Sequence, residues 1–318
     1  MDGALNVQIV AVVIGRNEGA RLRACLQSLR GQVRELVYVD SGSTDGSQAV
    51  AQSLGARVVS LDMSRPFTAA RARNAGLAVL GTPDFVQFVD GDCEVVPTWF
   101  DAALAAFKAH PLAVVVCGRR RERAPEASVY NRLADAEWNT PIGRAKACGG
   151  DALMRFEPLK AAGGYREDLI AGEEPELCLR LARAGGEIWR IDAEMTLHDA
   201  ALLRFGQWWR RTVRAGHAFA EGAALYSAGP ERHWVMESRR SLIWGLILPL
   251  LVVACAAVSP LGWGLALIFP AQVTRLARRM GGQAALLSVV GKFAETQGAL
   301  GYWIGRLSGR RRGLIEYK

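Results

Sequence analysis

Between Val7 and Gly118 the chain repeats one pattern: a short unbroken apolar run, a polar turn, then apolar residues at helical spacing. The runs are VQIVAVVIG (7–15), ELVYVD (35–40), ARVVSL (56–61), DFVQFVD (84–90) and LAVVVCG (112–118). Apolar runs this short and without polar alternation are strands covered on both faces, and strands alternating with helices run parallel. The spacing predicts a helix after the first run with Leu22, Cys25, Leu26 and Leu29 on one face. Further helices are predicted from about Ser43 to Leu54, across TAARARNAGLAVL (68–80), and from Pro97 to about His110. The expected fold class is α/β, a mostly parallel sheet with helices on both faces. In such sheets ligands bind outside the carboxyl ends of the strands. The turns GRNEG (15–19), DSGSTDGS (40–47) and DGDCE (90–94) are therefore the candidate functional segments.

The second part of the chain differs in charge. Residues 1–200 carry 23 Lys and Arg against 26 Asp and Glu, whereas residues 201–318 carry 16 against 5. The basic part also holds the long apolar stretches, a pairing that points to an anionic membrane surface before it points to nucleic acid. No nucleic-acid-binding module is recognisable. Residues 202–221 mix Trp208, Trp209 and Phe219 with Arg204, Arg210, Arg211 and Arg214, suiting an interfacial helix or an aromatic domain interface. Ser241 to Thr274 contains no charged residue and is interrupted by Pro249, Pro260 and Pro270. As one helix it would be about 51 Å long, too long for one upright span and short for two. Arg239 and Arg240 precede it, and Arg275, Arg278 and Arg279 follow it. A hairpin or re-entrant pair with both ends in the cytoplasm fits these flanks; a buried helical pair is the alternative. The expected organisation is a catalytic domain over 1–200, amphipathic helices over 201–240, an apolar hairpin over 241–275, and an interfacial helix with a basic cytoplasmic tail over 276–318. Six scattered cysteines without a CxxC pair read as buried thiols of a reducing compartment, and the N-terminus shows no signal-peptide pattern.

The first turn lacks GxGxxG, which removes the dinucleotide-binding reading. The turn after Asp40 is rich in small and hydroxyl residues, able to cap a helix or to let a nucleotide approach the backbone. Asp90 and Asp92 lie two apart around Gly91, so in extended chain they face one way. Oxygen ligands at that spacing suit Mg²⁺ or Mn²⁺ shared with phosphate oxygens; an ordinary acidic glycine turn is the alternative. Glu173 and Glu174 precede Pro175 at a predicted helix start, favoured there by the helix dipole or serving as a general base.

Taken in order, VVIGRNEGARLRACLQSL, VYVDSGSTDGS, RARNAGL, FVDGDCE, GGDALMRFEPLKAAGGY and GEEPELCLRLARAGG resemble the inverting family 2 glycosyltransferases of GT-A fold, over roughly residues 7–200. The resemblance implies transfer of a sugar from a UDP- or GDP-linked donor, with a divalent metal, to a saccharide or lipid-linked acceptor at the cytoplasmic face of the cell membrane. It implies nucleotide contacts from Glu18, Asp40, Arg73 and Asp90, and metal ligation by Asp92 with Asp90. It makes Gly149, Gly150 and Asp151 the loop beside acceptor and donor sugar. Glu174 takes the place of the base, with Glu173 as the competing assignment. His198 resembles histidines that approach the metal or diphosphate in GT-A enzymes, a structural histidine being the alternative. Cys93 stands where a third acidic residue is frequent, Glu174 where Asp is usual. QWWRR (207–211) lacks the Arg-Trp of processive polymerases, which implies single additions. An inactive membrane-bound scaffold and a nucleotidyltransferase are the competing readings.

Overall fold

The computed structural model describes residues 7–309; the chain start and the basic tail over 310–318 lie outside the described residues. Contacts divide the chain into two units, residues 1–125 with 134–201 and residues 126–133 with 202–318.

In the first unit the expected alternation is present: β1 (Ile9–Gly15), α1 (Ala20–Leu29), β2 (Glu35–Asp40), α2 (Ser47–Ser53), β3 (Arg57–Ser60), α3 (Ala69–Leu77) and β4 (Phe85–Asp90). There follow β5 (Cys93–Val95), α4 (Trp99–Ala109), β6 (Ala113–Glu122), α5 (Val129–Trp138), β7 (Gly143–Arg144), β8 (Ala152–Arg155), α6 (Phe156–Ala161), α7 (Glu173–Arg183) and β9 (Glu187–His198). The division between the units falls within α5. The sheet order is β3-β2-β1-β4-β8-β6-β9-β5, with β7 on β9. Strands β1 to β4 are mutually parallel, β8 is antiparallel to β4 and β6, and β6 runs parallel to β9. The mostly parallel α/β expectation therefore holds, with β8 the antiparallel insertion that joins the two parallel sets.

Local chemistry explains the boundaries. Leu22, Cys25, Leu26 and Leu29 form the buried stripe of α1, as their spacing predicts. Helix α3 starts where Thr68 accepts from the Arg71 amide at 3.1 Å, a hydroxyl N-cap. Helix α7 starts at Glu173, two residues ahead of the expected Pro175, because Gly172 at φ 80° turns the chain and Pro175 still falls within the first turn. Strand β6 runs four residues past its expected end at Gly118, so the basic run RRRE is sheet and not loop. Trp99, fully buried, is anchored by its indole N–H to Gln87 Oε1 at 2.7 Å, satisfying both buried polar groups.

The second unit is helical: α8 (Phe205–Tyr226), α9 (Val235–Leu242), a π-helical stretch (Ile243–Ile247), α10 (Leu248–Val258), a 3₁₀ stretch (Pro260–Leu267), α11 (Ile268–Met280) and α12 (Gly282–Leu307). Helices α8, α9 and α11 and the π-helical stretch pack on α12, whereas α10 packs on the 3₁₀ stretch. Gly262 is required there, since a Cβ would lie 2.2 Å from the backbone carbon of Cys255.

Trp99→Ala is expected to destabilise the protein by about 3–5 kcal/mol through cavity formation and the stranded Gln87, read as a lower denaturant midpoint.

Candidate active site

Strands β1, β2 and β4 end level, with Gly15 in register with Asp40 and Ile14 with Asp90. The three polar turns thus leave neighbouring strand ends. The first two are laced together. Asn17 donates its amide to Ser43 Oγ at 2.9 Å and accepts from the Thr44 amide at 2.7 Å, while Gly19 donates to Asp45 at 3.0 Å. Glu18 stays by Arg21, 2.8 Å away, with its Cγ beside Gly91.

Asp40 is buried and accepts four hydrogen bonds: from the Tyr38 hydroxyl at 3.0 Å, the Gly42 and Ser43 amides at 3.1 and 3.0 Å, and the Gln48 amide group at 2.8 Å. Burial pushes its carboxyl up, but these donors, Ser43 foremost, outweigh burial and hold it below its ordinary value. Three of these bonds fall on Oδ2 and one on Oδ1, so Asp40 organises the 42–48 loop through Oδ2 while Oδ1 keeps an acceptor position.

The crowded carboxylates after β4 have guanidinium partners. Asp90 gives one oxygen to Arg73 at 2.9 Å and the other to Arg120 at 2.8 Å. Arg73 also holds Glu173 at 2.7 Å, and Arg120 holds Asp151 at 2.8 Å. Asp151 in turn accepts from the Asp90 amide at 3.0 Å and the Thr196 hydroxyl at 2.8 Å. Burial pushes Asp90 up, but Arg73 and Arg120 overcome it and hold its carboxyl well below the usual range. The arginines lie against aromatic faces, Arg73 at 5.4 Å from the Tyr165 centroid and Arg120 at 5.4 Å from that of Trp138. Gly150 closes over this network: a Cβ there would meet Asp90 Oδ2 at 2.7 Å and Arg73 at 3.1 Å.

Asp92 is buried and reaches His198, with Oδ2 and Nε2 3.1 Å apart. The pairing of β5 with β9 places Cys93 opposite His198, which brings residues 106 apart in sequence together. Burial, with Arg120 adding to it, pushes the His198 imidazole down to about 4, so it is neutral at neutral pH. Two ligands at right angles on a cation with bonds of about 2.1 Å lie about 3.0 Å apart. The Asp92–His198 separation fits that geometry; the carboxylate oxygen suits Mn²⁺ or Mg²⁺, and the imidazole is the softer donor of the pair. Asp90, by contrast, has both oxygens engaged by arginines.

Glu174 turns the other way from Glu173. Its Oε1 lies 2.5 Å from the Cys148 amide nitrogen, 2.9 Å from Cys148 Sγ and 3.0 Å from Cys178 Sγ. Burial pushes its carboxyl up, and the Cys148, Cys178 and Gly149 donors offset that only in part.

Of the residues singled out in the sequence, Glu18, Asp40, Asp90, Asp92 and His198 lie at strand ends or in the turns after them, Arg73 on α3, Glu173 and Glu174 in the first turn of α7, and Gly149 to Asp151 in the loop before β8, where Asp151 is a partner of Arg120. Arg120, Trp138, Gln48 and the thiols of Cys148 and Cys178 escape sequence reasoning. For Arg120 a signal exists: VVVCGRRRE continues as strand, whose alternation turns every second arginine to one face. A cavity of about 750 Å³ lies elsewhere, lined by Arg65, Arg71, Lys160 and Glu167, and none of Asp90, Asp92, Glu173 or Glu174 lines it.

Arg73→Met leaves Glu173 without its guanidinium partner and Asp90 with Arg120 alone. A loss of about 3–5 kcal/mol of stability is expected, measurable by chemical denaturation, together with loss of nucleotide binding.

Comparison with known proteins bears on the family and the fold. The glycosyl transferase family 2 model matches residues 10–169. The succinoglycan biosynthesis protein ExoA of Rhizobium meliloti is 28% identical over 211 residues, 60% of this chain and 63% of that protein. The pre-mycofactocin glycosyltransferase of Mycobacterium tuberculosis is 26% identical over 62% of this chain and 44% of its own length. The chain thus spans less than two thirds of the length of these curated relatives. Among solved structures, a mannosyltransferase from Pyrobaculum calidifontis in complex with GDP-Man and Mn²⁺ aligns with a TM-score of 0.66 at 20% identity, covering 92% of this chain and 87% of that one. S. aureus TarS 1–349 aligns at 0.53 and 15% identity, covering 92% of each chain. At such identities the likeness is one of fold, GT-A-like in its mostly parallel sheet. The match over half of its length, on a sheet whose strand ends carry these carboxylate turns, makes the chain a member of glycosyl transferase family 2.

Proposed function

We propose that the protein moves a glycosyl group from a UDP- or GDP-linked sugar to a hydroxyl of a lipid-linked or membrane-adjacent saccharide, one sugar at a time and with inversion. The observation that carries this reading is the loop at Cys148–Gly150. Its Cys148 end holds Glu174, while Gly150 leaves no room for a side chain against Asp90, so a buried carboxylate and the Asp90–Asp92 turn border one short loop. In the reaction the acceptor oxygen attacks the anomeric carbon as the bond to the β-phosphate oxygen breaks. Glu174 takes the hydroxyl proton, and the nucleoside diphosphate leaves with the bonding electrons. Glu174 suits that role better than Glu173, which is committed to Arg73, and burial raises its proton affinity toward the working pH. Asp92 and His198 would hold Mg²⁺ or Mn²⁺, which supplies Lewis-acid charge to the leaving diphosphate. Arg73 and Arg120 fix Asp90 beside them, and the Glu18 and Asp40 turns offer the nucleotide its binding edge.

The membrane part of the reading rests on the hairpin of the second unit. By composition and length, Val235–Val258 is the one stretch among the described residues able to cross a membrane. Its first part is taken up by the helical unit, because α9 and the π-helical stretch pack on α12. What projects is α10, about 16 Å long at 1.5 Å per residue, and the 3₁₀ return over eight residues, also about 16 Å at 2.0 Å per residue. That reach is about half of a 30 Å hydrocarbon core. The tip is apolar and bare, with Val258 at 90% and Leu261 at 88% exposure. Arg239, Arg240, Arg275, Arg278 and Arg279 stand on the flanking helices, suited to anionic headgroups on the cytoplasmic side. The hairpin is thus read as dipping into one leaflet.

Two measurements test these readings. In a transfer assay with Mn²⁺, Asp92→Ala and Glu174→Gln are each expected to lower kcat by about 10²–10⁴-fold, and Asp92→Ala to remove the metal dependence of nucleotide binding seen by calorimetry. Wild-type turnover in either variant refutes the role assigned to that residue. In vesicle flotation the protein is expected to rise with phosphatidylglycerol liposomes, and the Val258→Asp, Leu261→Asp double variant to stay at the bottom. Equal flotation of the double variant means that the hairpin is not the anchor.

A further inference from the structure

Three buried sulfhydryl groups surround Glu174 from three elements: Cys148 on the loop before β8, Cys178 one turn along α7, and Cys117 on β6. Two of them touch it. Cys148 Sγ and Cys178 Sγ stand 2.9 and 3.0 Å from the same oxygen, Oε1, and 3.7 Å from each other. Both thiols are held protonated. In Cys148 burial raises the thiol, with Cys178 and Glu174 adding to it. In Cys178 the contact with Cys148 opposes the shift, but burial and Glu174 push it up to about 12. Each sulfur is therefore an S–H donor at neutral pH, and the carboxylate is the acceptor within reach of both.

We infer that Cys148 and Cys178 are positioning residues that fix the Glu174 carboxylate and set its basicity through two weak S–H donors on Oε1. This rests on Glu174 as the base proposed above. A thiol is a weaker donor than a hydroxyl. Two thiols and the Cys148 amide relieve the desolvation of the carboxylate enough to keep it ionisable inside the fold. They do so without stabilising the anion as far as hydroxyls would, which would make it a poorer proton acceptor. Glu174 and Cys178 share a face of α7 at i and i+4, so the helix itself sets one donor. The loop sets the other together with the amide. The remaining charged and titratable neighbours are Glu173, paired with Arg73, the Tyr165 phenol and the Cys117 thiol. The Tyr165 phenol and the Cys117 thiol also feel Cys178, but burial raises both, so they stay neutral across the acid limb.

The inference is tested by a graded series at one atom. A base works when deprotonated, so the acid limb of the kcat–pH profile follows the Glu174 pKa, and losing a donor to the anion raises that pKa. Cys178→Ala is expected to move the acid limb up by about half a unit to one unit, and Cys178→Ser, with its stronger donor, to move it down. Cys148→Ala should repeat the upward shift from the loop side. Melting curves confirm that each variant is folded, and the isosteric serine variant carries the test should an alanine variant not be. The second readout needs no turnover: the carboxyl band of Glu174 in difference infrared titration, assigned by its disappearance in Glu174→Gln, should titrate in the order Ala above Cys above Ser. Coincident acid limbs and coincident infrared titrations across the series overturn the inference, even if kcat falls. If Glu174→Gln keeps wild-type turnover while the infrared order holds, the base assignment falls and the thiol tuning stands. If Glu174→Gln is inactive and the order is absent, the base stands and the tuning falls.

Discussion

The Arg73 guanidinium is the interaction on which the site depends. It lies on α3, is 4% exposed, and joins Asp90 at the end of β4 to Glu173 at the start of α7. Taking such a charge out of water is costly, and it is tolerated only where good geometry and further hydrogen bonds compensate. Here both charged ends of the guanidinium are matched, and the Tyr165 ring covers its face. The same ion does two further things. It lets Asp90 stay ionised despite burial, and it fixes the first residue of α7, so that the next residue, Glu174, is delivered to the Cys148 loop. Arg120 repeats the arrangement on the other side of Asp90 through Asp151. The two arginines share one carboxylate and so hold three strand ends and one helix start in fixed relation. They also explain how five carboxylates, Asp90, Asp92, Asp151, Glu173 and Glu174, can collect in one place.

The fold of the first unit was legible because it rests on patterns that sequence carries directly. Apolar runs such as IVAVVIG and FVQFVD have one stable disposition, and the polar turns after them mark the strand ends. The carboxylates of Asp40, Asp90 and Asp92 stand out for the same reason, since ionisable residues at the ends of apolar runs conflict with local burial, and Glu174 stands out as one of two carboxylates at a predicted helix start. The partners were not legible. Arg120 is joined to Asp90 from 30 positions away, and the alternation that would single it out within the run RRRE is interrupted by register shifts on either side of Arg119. The strand reading of that run depends on β9, which pairs with it along its whole length. The Asp92–His198 contact likewise depends on a three-residue strand, β5, too short to be seen in a pattern of period two. The thiols around Glu174 were visible as buried cysteines, but which of the six converge is a property of the packing alone.

Strand β5 shows how little chain is needed to assemble a site. After β4 the chain leaves the middle of the sheet, and within two residues it pairs with β9 and becomes the last strand in the sheet order. Gly91 makes this exit feasible: its amide donates to Ile14 O at 2.8 Å, and a side chain there would press on that same carbonyl at 3.1 Å. The Asp199 amide then donates to Asp92 O at 3.0 Å, closing the ladder beyond His198. Asp90 is thereby left with the arginines and Asp92 with the histidine, although one residue separates them. A turn that reads as a single acidic motif is divided by the backbone into two environments, one filled by permanent cations and one suited to an exchangeable cation.

The charge split along the sequence acquires a physical sense under the function proposed above. The acidic part holds its excess carboxylates at one set of strand ends, where a metal and a diphosphate would meet them. The basic part carries Arg239, Arg240, Arg275, Arg278 and Arg279 on the helices that flank an apolar hairpin. Opposite signs in the two parts do not stabilise the fold of either, since most of these charges are solvated and screened over about 8–10 Å. They instead set what each part attracts. A chain with the signs exchanged could keep the same apolar core, yet its strand ends would bind phosphate without a cation and its hairpin would be repelled from anionic lipid. The partition of charge is thus a constraint from function imposed on a fold that would tolerate the reverse.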